Sequence, residues 1–223
     1  NNAVAINSGG QVFRSSNGAN FVSTNNRASI VAKPYDVRFA NGTWVDCEGN
    51  YITNTDLLAS KSFTSWSLYS SLNFSSGTAT VMVDVSDSGV AIFSLNYNTY
   101  LRSTDGFKTF EVRGFNVNLT NNDTSPFVSG VATDDAGNWV VTFNRCNQLF
   151  YSSDNGLTWV IKTNPAGNSD YSGVAGGGGA GRFLIAQDGA TCHYTNDGFN
   201  TSSTKTVTGS SQAASAYPVY CDN

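Results

Sequence analysis

Phe150-Tyr-Ser-Ser-Asp-Asn-Gly-Leu-Thr-Trp159 decides the fold, because versions of it recur along the chain. Leu101-Arg-Ser-Thr-Asp-Gly-Phe-Lys-Thr-Phe110 and His193-Tyr-Thr-Asn-Asp-Gly-Phe-Asn-Thr201 superimpose on it. Phe13-Arg-Ser-Ser-Asn-Gly-Ala-Asn-Phe21 does so with Asn17 in place of the Asp. Tyr51-Ile-Thr-Asn-Thr-Asp56, followed by Ser62-Phe-Thr-Ser-Trp66, is the most divergent copy. Each copy has an apolar or aromatic strand end, a Ser or Thr, an Asp or Asn turn, then an aromatic residue opening the next strand. Such a string is a hairpin signal.

Working outward, the turn residues fall at Asn17, Asp56, Asp105, Asp154 and Asp197, at intervals of 39, 49, 49 and 43. Wrapping from 197 through the carboxyl terminus to 17 gives 43 again. A linear array has no reason to close on its own period, whereas a circular one does. Two-strand units precede the turns: Asp36-Val-Arg-Phe with Thr43-Trp-Val-Asp, Val81-Met-Val-Asp-Val with Val90-Ala-Ile-Phe, Gly130-Val-Ala-Thr with Trp139-Val-Val-Thr-Phe, and Gly173-Val-Ala with Arg182-Phe-Leu-Ile-Ala. The first repeat holds only Ala3-Val-Ala-Ile, and its missing partner is Tyr217-Pro-Val-Tyr-Cys-Asp222 at the other end. The expectation is an all-β chain: one domain over 1–223, a five-bladed β-propeller of four-stranded antiparallel blades. The blades would be 1–29 plus 214–223, 30–75, 76–122, 123–167 and 168–213, with the C-terminal strand pairing into the N-terminal blade to close the ring. A β-sandwich of many short strands is the alternative.

Composition agrees and removes several function classes. Charged residues make up 13 % of the 223, about half the usual ~25 %. Net charge is −4, and the twelve Lys and Arg are scattered, so no basic stripe exists for a nucleic acid backbone. No apolar run approaches the roughly 18–20 residues that span a bilayer, so membrane insertion is not expected. There is no basic-then-apolar leader and no Met at position 1, so the chain reads as a mature or excised piece. Asn, Ser, Thr and Gly dominate, and Glu occurs only at 48 and 111, which suits strands and turns rather than helices. An extracellular or virion setting is expected from the low charge and hydroxyl-rich composition.

Ser152-Ser-Asp154-Asn-Gly156-Leu-Thr158-Trp159 resembles the Asp-box (BNR) repeat of sialidase-like propellers, S/T-x-D-x-G-x-T-W/F. Ser103 to Phe110 and Thr195 to Thr201 resemble it with the Gly displaced by one. The resemblance implies a structural role for Asn17, Asp56, Asp105, Asp154 and Asp197: each would brace its own turn rather than catalyse. Trp66, Trp159, Phe110 and Phe21 would pack between blades, as would Trp44, Trp139 and Phe183. It also invites a sialidase reading, which the residues do not support. Such enzymes are built on six blades and use an arginine cluster, a Tyr–Glu pair and an Asp acid/base. Here only Arg38 of the seven arginines falls on an expected inner strand, Glu111 lies on an outermost one, and Glu48 has no guanidinium triad around it.

Other chemistry is thinly represented. Two carboxyl groups across one mouth would suit a glycosidase or lyase, and Asp36, Asp46, Glu48, Asp170 and Asp188 could reach one. His193 is the single histidine and has no triad or zinc set beside it. The Asp/Gly turns at 84–89, 133–137 and 154–156 lack the ligand count of a calcium loop, so neither a metal nor a cofactor is expected. Gly176-Gly-Gly-Gly179 is followed by no Lys-Ser/Thr and is a permissive turn, not a phosphate loop. Cys47 and Cys146 fall in non-adjacent blades, too far apart to bridge. Cys146 with Cys192, or Cys192 with Cys221, lie on neighbouring blades, so at most one disulfide is expected.

In this build the loops from the second to the third strand, and those between blades, share one face. That face would carry Asp46, Glu48, Tyr97, Arg145, Asn147 and Asp188, with Tyr35, Asp36, Arg38, Tyr171 and Tyr217 at strand starts. Tyr rings beside Asn, Asp and Arg offer the flat apolar faces and directional hydrogen bonds that sugars need. The leading reading is a non-catalytic recognition module that binds a cell-surface glycan or host receptor. Its composition resembles that of phage-borne or secreted bacterial domains such as tail-fibre tips. The alternatives are a structural virion or surface-assembly component working through protein subunits, and, third, a glycosidase or lyase with paired Asp/Glu.

Overall fold

The computed structural model describes residues 3–6, 12–15, 19–23, 33–40, 43–49, 54–60, 67–73, 82–95, 98–106, 108–120, 127–168, 172–187 and 191–206. Every regular element among them is a strand, and all pairings are antiparallel. The chain divides into two compact units, Asn1–Val81 and Met82–Asn223.

The first unit holds a three-stranded sheet, β1 (Ala3–Ile6), β2 (Val12–Ser15) and β3 (Val22–Ser23). A four-stranded sheet follows: β4 (Lys33–Ala40), β5 (Thr43–Gly49), β6 (Asn54–Ser60) and β7 (Ser67–Asn73). The second unit holds three four-stranded sheets in chain order. The third sheet of the chain is β8 (Met82–Val85), β9 (Ala91–Ser94), β10 (Thr99–Ser103) and β11 (Glu111–Gly114). The fourth is β12 (Val128–Thr133), β13 (Trp139–Phe143), β14 (Gln148–Ser152) and β15 (Val160–Thr163). The fifth is β16 (Ser172–Gly176), β17 (Phe183–Gln187), β18 (Thr191–Thr195) and β19 (Ser203–Thr206).

In the second unit the first strands of successive sheets lie side by side, β12 against β8 and against β16. Burial follows this order. β13 is buried along its whole length, whereas β19 is exposed along its whole length. The fourth sheet has two apolar faces because strand side chains alternate. Val131, Trp139, Val141, Phe143, Phe150 and Trp159 pack with Ile92, Tyr100 and Phe115 of the third sheet and its outgoing loop. Ala132, Val140 and Leu149 pack instead with Val174, Phe183, Ile185 and Phe199 of the fifth. Burial on both faces explains why Trp139-Val-Val-Thr-Phe143 reads as an unbroken apolar run rather than an alternating one. Tyr100, Phe115 and Trp159 meet at ring-centroid distances of 4.6 to 5.6 Å, including two edge-on contacts at Trp159.

The first strands approach so closely that only glycine fits at two points. A Cβ on Gly176 would overlap the carbonyl of Thr133, and one on Gly130 would lie 2.8 Å from Val174 Cγ1.

The second sheet departs from the expectation in register. Ser60 pairs with Trp44 just as Ser152 pairs with Trp139, Ser103 with Ala91, Thr195 with Phe183 and Ser15 with Ala3. Asp56 is therefore not a turn residue. It lies within β6, opposite Glu48 and Ser71, and the strand runs on to Ser60. The cause is local: Asn54 to Ser60 contains no Gly to reverse the chain, and Leu57-Leu58-Ala59 prolongs the strand. Aligned on Ser15, Ser60, Ser103, Ser152 and Thr195, the repeat runs at 45, 43, 49 and 43 residues. Asp46 and Glu48, expected in a loop, likewise lie within β5.

Trp139, Trp159 and Phe183 are buried, and Phe110 is half-buried with its ring 5.5 Å from that of Phe93. Phe21, also expected to pack, is 45 % exposed. The closing strand expected at 217–222, and Trp66, lie outside the described residues. Cys146 and Cys192 are thiols and do not bridge.

Candidate functional site

Antiparallel strands send alternate connections to opposite ends of a sheet, so each sheet of the second unit has two different ends. At one end stand the turns after the first and third strands. Asp154 Oδ1 accepts hydrogen bonds from Ser152 Oγ at 2.7 Å, Leu157 N at 3.0 Å and Thr158 N at 2.9 Å, while Oδ2 accepts from Thr158 Oγ1 at 2.6 Å. Asp105 repeats this set with Ser103, Lys108 and Thr109. Asp197 accepts from Thr195 Oγ1, Thr201 N and Thr201 Oγ1. These bonds favour the ionised form. The Thr109 hydroxyl and amide hold Asp105 down at about 2, and the Thr201 amide and hydroxyl do the same for Asp197. A carboxylate whose lone pairs are filled by its own hairpin is poorly placed to take a proton or a cation.

The other acidic groups at this end tie sheet to sheet. Thr133 N donates to Asp84 Oδ2 at 2.8 Å, and Asp87 N donates to Asp135 Oδ1 at 2.9 Å, both between the third and fourth sheets. Asp134, buried, accepts from Ala136 N, Asn138 N, Asn138 Nδ2 and, across to the fifth sheet, Gly181 N. Burial raises the Asp135 pKa, with Asp87, Asp84 and Asp134 adding in the same sense. Among the described residues no group of three or more His, Cys, Asp or Glu gathers as a metal site would require.

The opposite end of the fourth sheet is built differently. The β13–β14 turn, Asn144-Arg-Cys-Asn147, places Arg145 in the left-handed region at φ 53° with its side chain exposed. The loop leaving β15 folds onto this turn. Asn164 N donates to Asn147 O at 2.7 Å, Asn164 Nδ2 donates to Cys146 O at 3.1 Å, and Ala166 N donates to Asn164 Oδ1 at 3.0 Å. The loop from the third sheet reaches the same region: Gln148 Nε2 donates to Thr120 Oγ1 at 2.7 Å and Thr120 N donates to Gln148 Oε1 at 2.8 Å. Two amide oxygens here, Asn144 Oδ1 and Asn147 Oδ1, are buried and have no hydrogen-bond partner. Such an atom costs about 1–3 kcal/mol unless a donor reaches it. Burial pushes the Cys146 thiol pKa up.

Of the expected site residues, Arg145 and Asn147 come together here. Asp36 and Arg38 lie in β4 and Asp46 and Glu48 in β5, with a register shift between Pro34 and Asp36 that leaves Tyr35 unpaired. Asp36 is opposite Cys47 and Arg38 opposite Val45, whereas Asp46 is opposite Val37 and Glu48 opposite Pro34. Tyr97, Asp170, Tyr171, Asp188 and Tyr217 lie outside the described residues. Asn144 and Asn164 were not singled out from the sequence. The only signal was the crowding of Asn in 144–147 and 164–168, which abundant Asn elsewhere obscures.

His193 sits inside the fifth sheet, its Nε2 2.8 Å from Gln187 Oε1 and its Nδ1 3.2 Å from Thr204 Oγ1. Burial lowers its pKa, and the ring has the hydrogen bonding of a structural residue. Among the described residues no helix is long and apolar enough to cross a membrane.

Neither a family model nor a curated protein matches the sequence. Solved structures do. A streptogramin B lyase superimposes with a TM-score of 0.65 at 13 % identity, over 93 % of this chain and 68 % of that one. YCF48 from Cyanidioschyzon merolae gives 0.60 at 13 % identity, over 92 % and 69 %. The GH74 enzyme of Niastella koreensis gives 0.57 at 13 % identity, over 90 % and 29 %. At such identities the likeness concerns fold and not activity: this is an all-β protein of the propeller type.

Proposed function

We propose that the chain is a non-catalytic recognition module which binds a glycan at the Arg145–Asn147 end of the fourth sheet. The observation that carries this reading is the exposed Arg145 side chain on a β13–β14 turn that the loops leaving β11 and β15 brace. Sugar hydroxyls are donors as well as acceptors, and a rigid sheet end with adjoining loops is where recognition is usually housed. The carboxylates at the opposite end argue against hydrolysis, since Asp105, Asp154 and Asp197 are occupied by their own turns. The even repeat of 43 to 49 residues supports a ring of five blades, closed by pairing of the C-terminal strand into the first. An extracellular or virion location fits a chain with little charge and abundant Asn, Ser and Thr.

A second reading, a structural component of a larger assembly, is favoured by exposed apolar side chains on outer strands, Val112 at 72 % and Val160 at 52 %.

The test is a broad glycan array probed with the labelled chain and with Arg145→Ala and Asn147→Ala variants. Selective binding that falls at least tenfold in both variants is expected. Absence of binding at the highest glycan density would sink the glycan reading and leave the assembly reading.

A further inference from the structure

The turn between β14 and β15 holds a chemically labile dipeptide, Asn155-Gly156. In an Asn-Gly pair the backbone nitrogen of the second residue can attack the side-chain carbonyl carbon of the first, and glycine puts no Cβ in the way. The fold leaves little choice of residue here. Asn155 and Gly156 take φ 58° and 73°, a region that asparagine tolerates and glycine favours. A Cβ on Gly156 would overlap Ile92 Cδ1 of the third sheet. Packing thus demands the very glycine that makes the pair labile.

The same neighbours fix the peptide unit that would have to rotate. Its carbonyl, Asn155 O, accepts from Arg102 Nε at 2.8 Å, and its amide, Gly156 N, donates to Ser152 Oγ at 3.0 Å. One peptide further on, Gly156 O accepts from the buried Tyr100 hydroxyl at 2.7 Å. Asn155 N donates to Gly137 O at 2.9 Å, and the Asn155 side-chain amide lies against that glycine, where a Cβ would come within 3.3 Å of Oδ1. The attacking nitrogen is committed to a hydroxyl, and turning it onto the side chain breaks the bonds to Arg102 and Tyr100.

The fourth sheet grips the fifth in a corresponding way. Tyr151 lies against Gly198, and Lys162 Nζ donates to Asn200 Oδ1 at 2.7 Å. The turns of the fifth and third sheets, however, carry Asp197-Gly198 and Asp105-Gly106, whose ionised carboxylates have no ammonia to lose. Only in the fourth sheet does the grip close over a side-chain amide that precedes glycine.

We infer that Asn155-Gly156 is a latent modification site, closed to deamidation while the third sheet grips it and opened when that sheet lifts from the fourth. Gly156 N bonds to Asn155 Cγ as the Cγ–Nδ2 bond breaks, and Nδ2 leaves as ammonia with the proton that Gly156 N gives up. Water then opens the cyclic imide at either carbonyl, leaving aspartate or isoaspartate at position 155. Isoaspartate lengthens the main chain by one carbon, so the turn no longer fits Arg102 and Tyr100. A passing separation of two sheets becomes a permanent record in the covalent structure. The inference is independent of the glycan reading.

Peptide mapping by mass spectrometry tests it on the full chain held in mildly alkaline buffer, native and in denaturing urea. Conversion at position 155 should be at least tenfold slower in the native chain; equal rates would overturn the inference, because the folded turn would then protect nothing. Tyr100→Phe removes one bond of the grip and should speed native conversion about fivefold while leaving the rate in urea unchanged. Arg102→Gln should act in the same sense. Ile185→Val loosens the core shared by the fourth and fifth sheets without touching this turn, and should change the native rate less than twofold. If neither grip variant accelerates conversion, or if Ile185→Val accelerates it as much, the third sheet is not the gate and the inference is wrong.

Discussion

β12, the first strand of the fourth sheet, and β19, the last of the fifth, sit in opposite circumstances. β12 has neighbours on both sides in other sheets and is buried but for Ser129, whereas all four residues of β19 are exposed. The difference locates the energy of the fold. Side chains contribute most where first and second strands of adjacent sheets meet, with apolar burial of about 25 cal/mol per Å². The outer strands contribute backbone pairing and little else. Between the two lie the turns, where hydrogen bonding rather than burial does the holding.

The comparison can be broken first at its inner end. Gly176→Ala puts a methyl group into the Thr133 carbonyl, and since both groups are backbone-anchored the strands must part. A loss of about 3 kcal/mol or more in urea unfolding is expected. Asp154→Ala removes the acceptor of four turn hydrogen bonds, and about 2 kcal/mol should be lost. Tyr100→Phe deletes one buried hydroxyl that donates to Gly156 O, with about 1 kcal/mol expected.

Acid sharpens the comparison at the turns. Asp105 and Asp197 are held at about 2 when folded, below their ordinary 3.8. A depressed carboxylate stabilises the folded state above the unfolded value, and that contribution disappears as pH falls toward 2. Unfolding followed between pH 5 and 2 should show stability declining, and Asp105→Asn with Asp197→Asn should flatten the decline. At the outer end, Val112→Thr on β11 should leave stability within about 0.5 kcal/mol.

The sequence makes the fold legible wherever a local rule and the global arrangement agree. Asp154-Asn-Gly156 can only be a tight turn, because Asn155 and Gly156 take φ 58° and 73° and the carboxylate fills with the amides that follow. Thr53-Asn-Thr-Asp56 resembles such a turn in composition, but the strand continues through Leu57 and Leu58 to Ser60. Polar composition alone does not reverse a chain. The candidate site was less legible for a different reason. Asn144 and Asn164 are ordinary letters in an Asn-rich chain, and what sets Asn144 apart is a missing hydrogen bond, which is a property of three-dimensional neighbours.

The grip of Tyr100 and Arg102 on the fourth sheet's turn, and of Tyr151 and Lys162 on the fifth's, points always from the earlier sheet to the later. A ribosome delivers the sheets in that same order. Each completed sheet therefore presents a finished mould before the turn that fits it has been synthesised. The nascent chain can consolidate sheet by sheet without waiting for its carboxyl end.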